Sequence, residues 1–280
     1  MVIIDGRELK ERKLQEIKNN VGELGSTLGL AVVQVGDNEA SKVYIRQKEK
    51  AALELGYKYI HRHFPADVSE EELIEEIKSL NNDDSIDGIL VQMPLPKHLN
   101  ESVIQNTVDP LKDVDGLTYV NAGKLVQNVD GLVPCTPKGI IDMLDYHKIG
   151  LEGANVVVIG RSILVGKPIA TLLSNRNATV VLTHSKTRDL GSLTRNADII
   201  IAAVGKAGFV TEDMVKDGAV VIDVGINRVD GKLYGDVDFA NVKDKCSYIT
   251  PVPGGVGPMT VCELMNNVYE AHILRKKAGK

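Results

Sequence analysis

Residues 155–168, NVVVIGRSILVGKP, decide how the second half of this chain folds. The stretch opens with four consecutive β-branched residues, 156–159, which predict a short buried strand. Gly160 ends the strand, and the turn after it leads into a helix that we predict through about residue 174. A strand, a glycine turn and a helix in direct succession predict a doubly wound α/β unit with a parallel sheet.

The sequence on either side of this stretch continues the same alternation. Further strands are predicted at residues 179–183 (TVVLT), 199–204 and 220–224. A last helix is predicted over residues 258–275, and we expect it to pack on the first domain because the doubly wound unit is already complete.

The first half also alternates helices and strands. Apolar spacing and a capping box predict helices at residues 8–21, 41–55 and 69–80, and apolar runs predict strands at 30–35, 57–64 and 86–92. Residues 109–134, rich in Gly, Asp and Asn, are interpreted as a crossing segment between domains. Thr136 and Pro137 then start a helix that runs to about residue 147. We predict a two-domain α/β protein in which residues 1–119 and the C-terminal helix, 258–280, form one domain. A Rossmann-like domain, 136–257, is the other, and a cleft lies between them.

Composition narrows the class of protein. The chain has 280 residues, 43% hydrophobic and 25% charged, and 33 basic against 38 acidic residues give a net charge of −5. These values are typical of a globular protein and argue against a nucleic-acid partner, which requires a basic face. The longest apolar stretch, 199–204, is too short to span a membrane.

Cysteine usage and the N-terminus predict a cellular compartment. Cys135, Cys246 and Cys262 form no CxxC pair, so we expect neither a disulfide framework nor a metal site. The first residues lack the order of basic, apolar and small residues that marks a signal peptide. A soluble, cytoplasmic protein is therefore expected.

The glycine turn predicts a nucleotide site with a particular preference. Gly160 lets the backbone approach a phosphate at a helix N-terminus, although the spacing is not GxGxxG and a turn without a ligand is the alternative. An NAD site usually has an acid after the second strand, whereas His184, Ser185 and Lys186 stand there. A guanidinium at Arg161 and a hydroxyl at Ser185 suit a 2′-phosphate, which favours NADP over NAD. The alternative for Ser185 and Lys186 is a solvated loop.

Four polar residues of the first half form a second candidate site. Tyr44 and Lys48 are four residues apart on a predicted helix and share one face. Gln92 ends a buried strand, at the edge where α/β proteins bind ligands, and Asp115 lies in a polar loop. Taken singly, Lys48 could be a surface lysine and Gln92 a strand cap.

Residues 250–260, TPVPGGVGPMT, hold three prolines and three glycines. This composition predicts a stiff loop without regular structure. Its place between the Rossmann-like unit and the last helix suits the lining of an interdomain cleft; a rigid linker is the alternative.

Several of these motifs, in this order, make the chain similar to a known family. Over essentially its whole length it resembles the bifunctional methylenetetrahydrofolate dehydrogenase/methenyltetrahydrofolate cyclohydrolase family. The usual leucine after the strand-end glutamine is Met93 here. The motifs are YIRQK (44–48), VQMPLP (91–96), KDVDG (112–116), PCTP (134–137), GRS with VG (160–162, 165–166) and PVPGGVGPMT (251–260).

The resemblance implies two reactions in one cleft. NADP takes a hydride from 5,10-methylenetetrahydrofolate, and water then converts 5,10-methenyltetrahydrofolate into 10-formyltetrahydrofolate. It implies that Lys48 is the central catalytic residue, flanked by Tyr44 and Gln92, and that Asp115 binds the pterin. The implied contacts are Tyr44, Val91, Gln92, Met93, Asp115, Pro251, Gly254, Gly255 and Pro258 for the folate, and Gly160, Arg161, Ser162, Ser185 and Ile226 for NADP.

The same resemblance implies a homodimer formed through the cofactor domain. Because the chain stops soon after the last motif, no formyltetrahydrofolate synthetase domain is expected. Three other functions stay open at this point. They are a dehydrogenase without the hydrolytic step, a non-catalytic folate- or nucleotide-binding module, and a shikimate-type Rossmann dehydrogenase, which would bind no folate.

Overall fold

A computed structural model describes residues 1–279, apart from the side chains of residues 39–41. It divides into two compact units. Residues Met1–Glu11 and Thr136–Thr260 form one, which we call the six-stranded unit. Residues Arg12–Cys135 and the chain from Val261 form the other, the three-stranded unit.

Both units alternate strands and helices along the chain. The strands are β1 (Val2–Ile3), β2 (Gly29–Val35), β3 (Lys58–Phe64), β4 (Gly88–Val91), β5 (Asn155–Ile159), β6 (Thr179–Thr183), β7 (Ile199–Ala202), β8 (Val220–Asp223), β9 (Asn227–Val229), β10 (Lys232–Tyr234) and β11 (Tyr248–Ile249). The helices are α1 (Gly6–Glu23), α2 (Glu39–Glu54), α3 (Glu70–Asn82), α4 (Glu101–Thr107), α5 (Tyr119–Val126), α6 (Cys135–Tyr146), α7 (Gly166–Asn175), α8 (Leu190–Thr194), α9 (Phe239–Val242) and α10 (Val256–Lys277).

The six-stranded sheet has the order β1-β11-β8-β7-β5-β6, and its paired strands run parallel. The chain passes from β5 out to the edge strand β6 and then crosses back to β7. The carboxyl ends are level, because Ile159 pairs with Thr183 and Ala202, and Ala202 pairs with Asp223. The strand order therefore reverses at the carboxyl ends of β5 and β7, where doubly wound folds bind their ligands.

The turn after β5 requires glycine at two positions. Gly160 has φ +112°, and a Cβ there would lie 2.1 Å from the carbonyl oxygen of Ala203. A Cβ on Gly166, at the start of α7, would lie 2.0 Å from the carbonyl oxygen of Gly160. The predicted succession of strand, glycine turn and helix is thus confirmed, and the glycines let three backbone segments meet closely.

The three-stranded sheet has the order β3-β2-β4, again parallel. All seven residues of β2 are buried, with apolar clusters of the same unit packed on the sheet. The helix predicted over 69–80 is confirmed as α3, and the hydroxyl of Ser69 caps it by accepting from the backbone N–H of Glu72 at 3.1 Å.

One segment contains a helix that was not predicted, and one prediction of an irregular segment was wrong. The predicted crossing segment, 109–134, contains α5, which begins where Asp113 accepts from the backbone N–H of Thr118 and the side-chain amide of Asn121. The supposedly irregular loop at 250–260 already enters α10 at Val256. Pro258 is accommodated there because the first helical turn needs no N–H donor at that position.

The boundaries of the two units differ in places from the predicted domain limits. The predicted first domain includes residues 1–11, whereas β1 pairs with β11 in the six-stranded sheet. The last helix contributes to the three-stranded unit from Val261 onward. Within residues 1–279, no helix has both the length and the apolar composition of a membrane span.

Candidate active site

A buried lysine and a glutamine meet in the three-stranded unit. Lys48, on α2, is only 9% exposed, and its Nζ donates to Oε1 of Gln92 at 2.8 Å. Gln92 follows β4 at the carboxyl edge of the sheet, and its Nε2 donates to the carbonyl oxygen of Met93 at 2.7 Å, which orients the amide toward the lysine. Lys48 is therefore not a surface lysine.

Burial changes the acid–base behaviour of this lysine. Desolvation lowers the pKa of Lys48, while the charges of Asp115 and Cys135 oppose part of that change. Desolvation also raises the pKa of Asp115, against the opposing charge of Lys48. The two groups influence each other directly, so the structure brings the predicted Lys48, Gln92 and Asp115 into one electrostatic cluster.

The loop that carries Asp115 runs beside β4. Ile89 and Asp113 form a parallel bridge, and the backbone N–H of Ile89 donates to the carbonyl oxygen of Lys112 at 2.7 Å. This register places Asp115 near the carboxyl end of β4, the end that Gln92 follows.

Two charged neighbours of Asp115 have structural roles. Asp113 is fully buried and accepts from the backbone N–H groups of Leu117 and Thr118. The ammonium of Lys112 donates to the carbonyl oxygens of Leu80 and Asp83 inside the unit. Asp115, the third charged residue of the KDVDG motif, is half-buried.

Cys135 and Asn267 support the Asp115 loop, and the sequence analysis assigned neither a role. The thiol of Cys135 donates to the carbonyl oxygen of Val114 at 3.3 Å and lies 3.7 Å from Oδ1 of Asp115. The amide of Asn267, on α10, donates to the carbonyl oxygens of Val114 and Val133, both at 2.8 Å. Cys135 lies in the PCTP motif, whereas nothing in the local sequence marks Asn267.

The other predicted folate contacts lie in both units. Tyr44 stands one helical turn before Lys48 on α2 and is 38% exposed. Val91 is buried at the end of β4, and Met93 is half-buried. The remaining contacts, Pro251, Gly254, Gly255 and Pro258, belong to the six-stranded unit.

The predicted folate loop is tied down within its own unit. The N–H of Gly255 donates to the carbonyl oxygen of Pro251, and the N–H of Gly6 donates to that of Gly254, both at 2.9 Å. Gly254 has φ +107°, a conformation that favours glycine.

The predicted cofactor residues follow neighbouring strands of the six-stranded sheet. Arg161 and Ser162 come directly after β5, Ser185 follows the adjacent β6, and all three are exposed. The hydroxyl of Ser162 accepts from the backbone N–H of Val165 at 3.1 Å and so shapes the turn. Ile226 follows β8 and is 49% exposed.

The turn after β6 suits an anion rather than a ribose diol. Nδ1 of His184 accepts from the backbone N–H of Lys186 at 3.1 Å, which organises the turn that carries Ser185. Asp189, the only acid among residues 184–189, caps α8 by accepting from the backbone N–H of Ser192. With Arg161 exposed and this acid engaged, the residues present fit the 2′-phosphate of NADP.

A parallel sheet whose strand order reverses is typical of a dinucleotide-binding unit. Together with the buried lysine site, it defines the class of this protein as a two-domain, dinucleotide-dependent enzyme. Family models match both parts of the chain. The catalytic domain of tetrahydrofolate dehydrogenase/cyclohydrolase matches residues 4–115, and the NAD(P)-binding domain of the same family matches residues 134–276.

Individual relatives agree over the full length. The bifunctional protein FolD of Campylobacter concisus is 54% identical over 275 residues, which is 97% of each chain. The crystal structure of the bifunctional FolD methylenetetrahydrofolate dehydrogenase/cyclohydrolase from Campylobacter jejuni is 45% identical. Its TM-score is 0.96, over 98% of this chain and 99% of that one. The enzyme from Trypanosoma brucei, complexed with NADP and an inhibitor, is 36% identical with a TM-score of 0.94, over 99% and 98%.

The chain belongs to the tetrahydrofolate dehydrogenase/cyclohydrolase family. This membership confirms the predicted fold class. It also confirms a bifunctional enzyme, an oxidoreductase and hydrolase that interconverts folate one-carbon units, with NADP as its cofactor. The monofunctional, non-catalytic and shikimate-type alternatives are not favoured.

Proposed function

We propose that Lys48 is the central catalytic residue of the folate site and that its amine is the proton acceptor in the hydrolysis. The observation that carries this proposal is the partly buried hydrogen bond from Nζ to Gln92, 2.8 Å long, on a lysine whose pKa is lowered by burial. A neutral amine can donate one N–H to Gln92 and keep its lone pair for a proton. Because glutamine adds no charge, it holds the lysine without stabilising the ammonium form.

Hydration of the methenyl group needs such a proton acceptor. As the oxygen of water bonds to the methenyl carbon, one of its protons passes to Nζ of Lys48. The bond from that carbon to N5 then breaks while the remaining O–H proton leaves and the C=O bond forms. N5 takes up one proton, and 10-formyltetrahydrofolate remains with one proton released overall. The preceding oxidation depends mainly on positioning, because the nitrogens of the product stabilise its charge themselves.

In this proposal the folate is held first by side chains of the three-stranded unit. The carboxyl group of Asp115 accepts from the N–H edge of the pterin, and Tyr44 flanks the reacting carbon. The further contacts that we propose are Val91, Gln92, Met93, Pro251, Gly254, Gly255 and Pro258. Lys48, Gln92 and Asp115 belong to the three-stranded unit, which we assign as the catalytic, folate-binding part.

The six-stranded unit, we propose, binds NADP, which accepts the hydride when it is bound. Arg161 and Ser185 hold the 2′-phosphate, and Gly160, Ser162 and Ile226 lie along the cofactor. The support is their common position at the carboxyl edge of the sheet, together with the absence of an unengaged acid among residues 184–189.

We also propose a homodimer that forms through this unit, and a cytoplasmic location. The edge strand β6 supports the first, since Val181 and Leu182 on it are 39% and 36% exposed. Cys135, Cys246 and Cys262 are all buried and form no disulfide within the described chain, which supports a reducing compartment.

Paired absorbance assays on Lys48→Met test the proposed catalytic role. One assay follows NADP reduction with 5,10-methylenetetrahydrofolate, and the other follows loss of 5,10-methenyltetrahydrofolate. K48M is expected to abolish the hydrolysis. The matched control is Lys50→Met, two residues away on the exposed side of the same helix, where the lysine pairs with Glu54. Full retention of methenyl hydrolysis by K48M would refute the assignment.

A further inference from the structure

Two buried carboxylates lie at the carboxyl edge of the six-stranded sheet. Asp223 ends β8, Asp236 follows β10, and the side chains are almost completely buried. Neither residue lies in a motif that the sequence analysis singled out, and neither takes part in the chemistry above.

Asp236 accepts four hydrogen bonds, three from the loop after β7 and one from Asn227 at the start of β9. Its Oδ2 accepts from the backbone N–H of Val204 at 2.6 Å and of Gly205 at 2.9 Å. Its Oδ1 accepts from the backbone N–H of Lys206 at 2.8 Å and from Nδ2 of Asn227 at 2.9 Å. Three successive N–H groups that face one carboxylate form a concave anion site, here filled by the chain's own side chain. The loop after β7 is thereby held in one conformation.

Asp223 fixes the backbone around Asp236 in turn. Its oxygens accept from the backbone N–H groups of Gly225, Asp236 and Val237 at 2.8–3.0 Å. The backbone at Gly235 packs closely against this carboxylate, because a Cβ on Gly235 would lie 1.8 Å from Oδ2 of Asp223. The two carboxylates therefore order three loops as one assembly.

These loops occupy one half of the ligand-binding edge. Arg161 and Ser185 follow β5 and β6, whereas residues 204–206 and Asn227 follow β7 and β8. The halves meet where the strand order reverses, since Gly160 packs against the carbonyl oxygen of Ala203.

We propose that Asp236 is a positioning residue for the nicotinamide half of NADP. The inference rests on the proposed function, because it takes Arg161 and Ser185 as the 2′-phosphate end. With that end over β5 and β6, the rest of an extended dinucleotide lies over β7 and β8. Asp236 acts there through the loop backbone that it holds, and Asn227 links it to Ile226, the proposed cofactor contact.

The test separates the two halves of the cofactor. Calorimetry on the full chain measures the dissociation constants of NADP and of adenosine 2′,5′-bisphosphate, which carries only the 2′-phosphate end. Asp236→Asn places an NH₂ group against N–H donors and should raise the NADP constant at least about tenfold. The constant for the bisphosphate and the rate of methenyl hydrolysis without NADP should change less than about twofold.

The control is Asp238→Asn, which makes the same change two residues away, where the carboxylate accepts from Nδ2 of Asn241 on the surface. It should leave both constants unchanged. If D236N fails to fold, Asn227→Ala removes one of the four bonds and should raise the NADP constant about threefold.

The proposal would be overturned if D236N raised the dissociation constants of NADP and of the bisphosphate by the same factor, or if it left the NADP constant unchanged. Wild-type protein that binds NADP but not the bisphosphate would instead refute the assignment of Arg161 and Ser185. In that case a raised NADP dissociation constant of D236N, with an unchanged rate of methenyl hydrolysis, would still support the role of Asp236, and an unchanged constant would overturn it.

Discussion

The two candidate sites of this chain are built in opposite ways. In the three-stranded unit, Lys48 and Gln92 are side chains that meet inside the fold, and burial determines their chemistry. In the six-stranded unit, Arg161 and Ser185 are exposed, and their position follows from two level strands. A reactive group needs a low-dielectric setting that shifts its pKa, whereas an anion site needs donors at a known place. Substitutions in the three-stranded unit should therefore change reaction rates, whereas substitutions in the six-stranded unit should change the dissociation constant of NADP.

The largest effect is expected at Lys48. Lys48→Arg keeps a cation but supplies a group that stays protonated, so methenyl hydrolysis should fall by about 10²–10⁴-fold. NADP binding, measured by calorimetry, should not change. Lys50→Arg, on the exposed side of α2, should retain both activities. Hydrolysis by K48R at the wild-type rate would remove the lysine from its role as base.

The exposed candidate site could be predicted from shorter sequence patterns than the buried one. The glycine turn and the missing acid after β6 are local signals, readable within a few residues. The burial of Lys48 is not local, because the charged run 46–50 is typical of a surface helix. Asn267 and Asp236 went unnoticed for the same reason, since their partners lie 153 and about 30 residues away along the chain. α5 was missed although Thr118 caps it by accepting from the backbone N–H of Asn121, and Asp113 in turn accepts from the backbone N–H of Thr118.

A cofactor-side substitution sharpens the comparison. Arg161→Ala removes the guanidinium proposed to bind the 2′-phosphate and should raise the dissociation constant of NADP by about 10–100-fold. The constant for NAD, which lacks that phosphate, should stay the same, as should methenyl hydrolysis without cofactor. Parallel titrations with NADP and NAD measure the difference. Equal losses for both nucleotides would place the 2′-phosphate elsewhere.

The pH dependence of hydrolysis tests how Gln92 acts on the lysine. Hydrolysis should rise with pH through the folded-state pKa of Lys48 and then level off, because only the neutral amine accepts a proton. Burial lowers that pKa, so the rise should occur below the ordinary lysine range. Gln92→Glu adds a negative charge beside Nζ, stabilises the ammonium and should move the rise upward by about one pH unit or more.

Rate profiles of wild type and Q92E, with Gln92→Met as the uncharged control, provide the measurement. The methionine variant loses the acceptor without gaining a charge, so its profile should not move upward. A profile of Q92E that coincides with that of wild type would show that another group governs the step.

The smallest effect is expected at Ser69, where the capping box in the sequence predicted the start of α3. Ser69→Ala removes the cap of α3, a bond of 3.1 Å to the backbone N–H of Glu72 at an exposed helix start. Urea denaturation should show a loss of about 1 kcal/mol in the free energy of unfolding. Ser79→Ala, within the same helix, is the control and should cost nothing, because alanine has the higher helix propensity. Water can partly replace the lost cap, but no water can restore the amine of Lys48. An unchanged hydrolysis rate in S69A would therefore show that the cap of α3 does not affect the reaction at Lys48, whereas a lowered rate would show that it does.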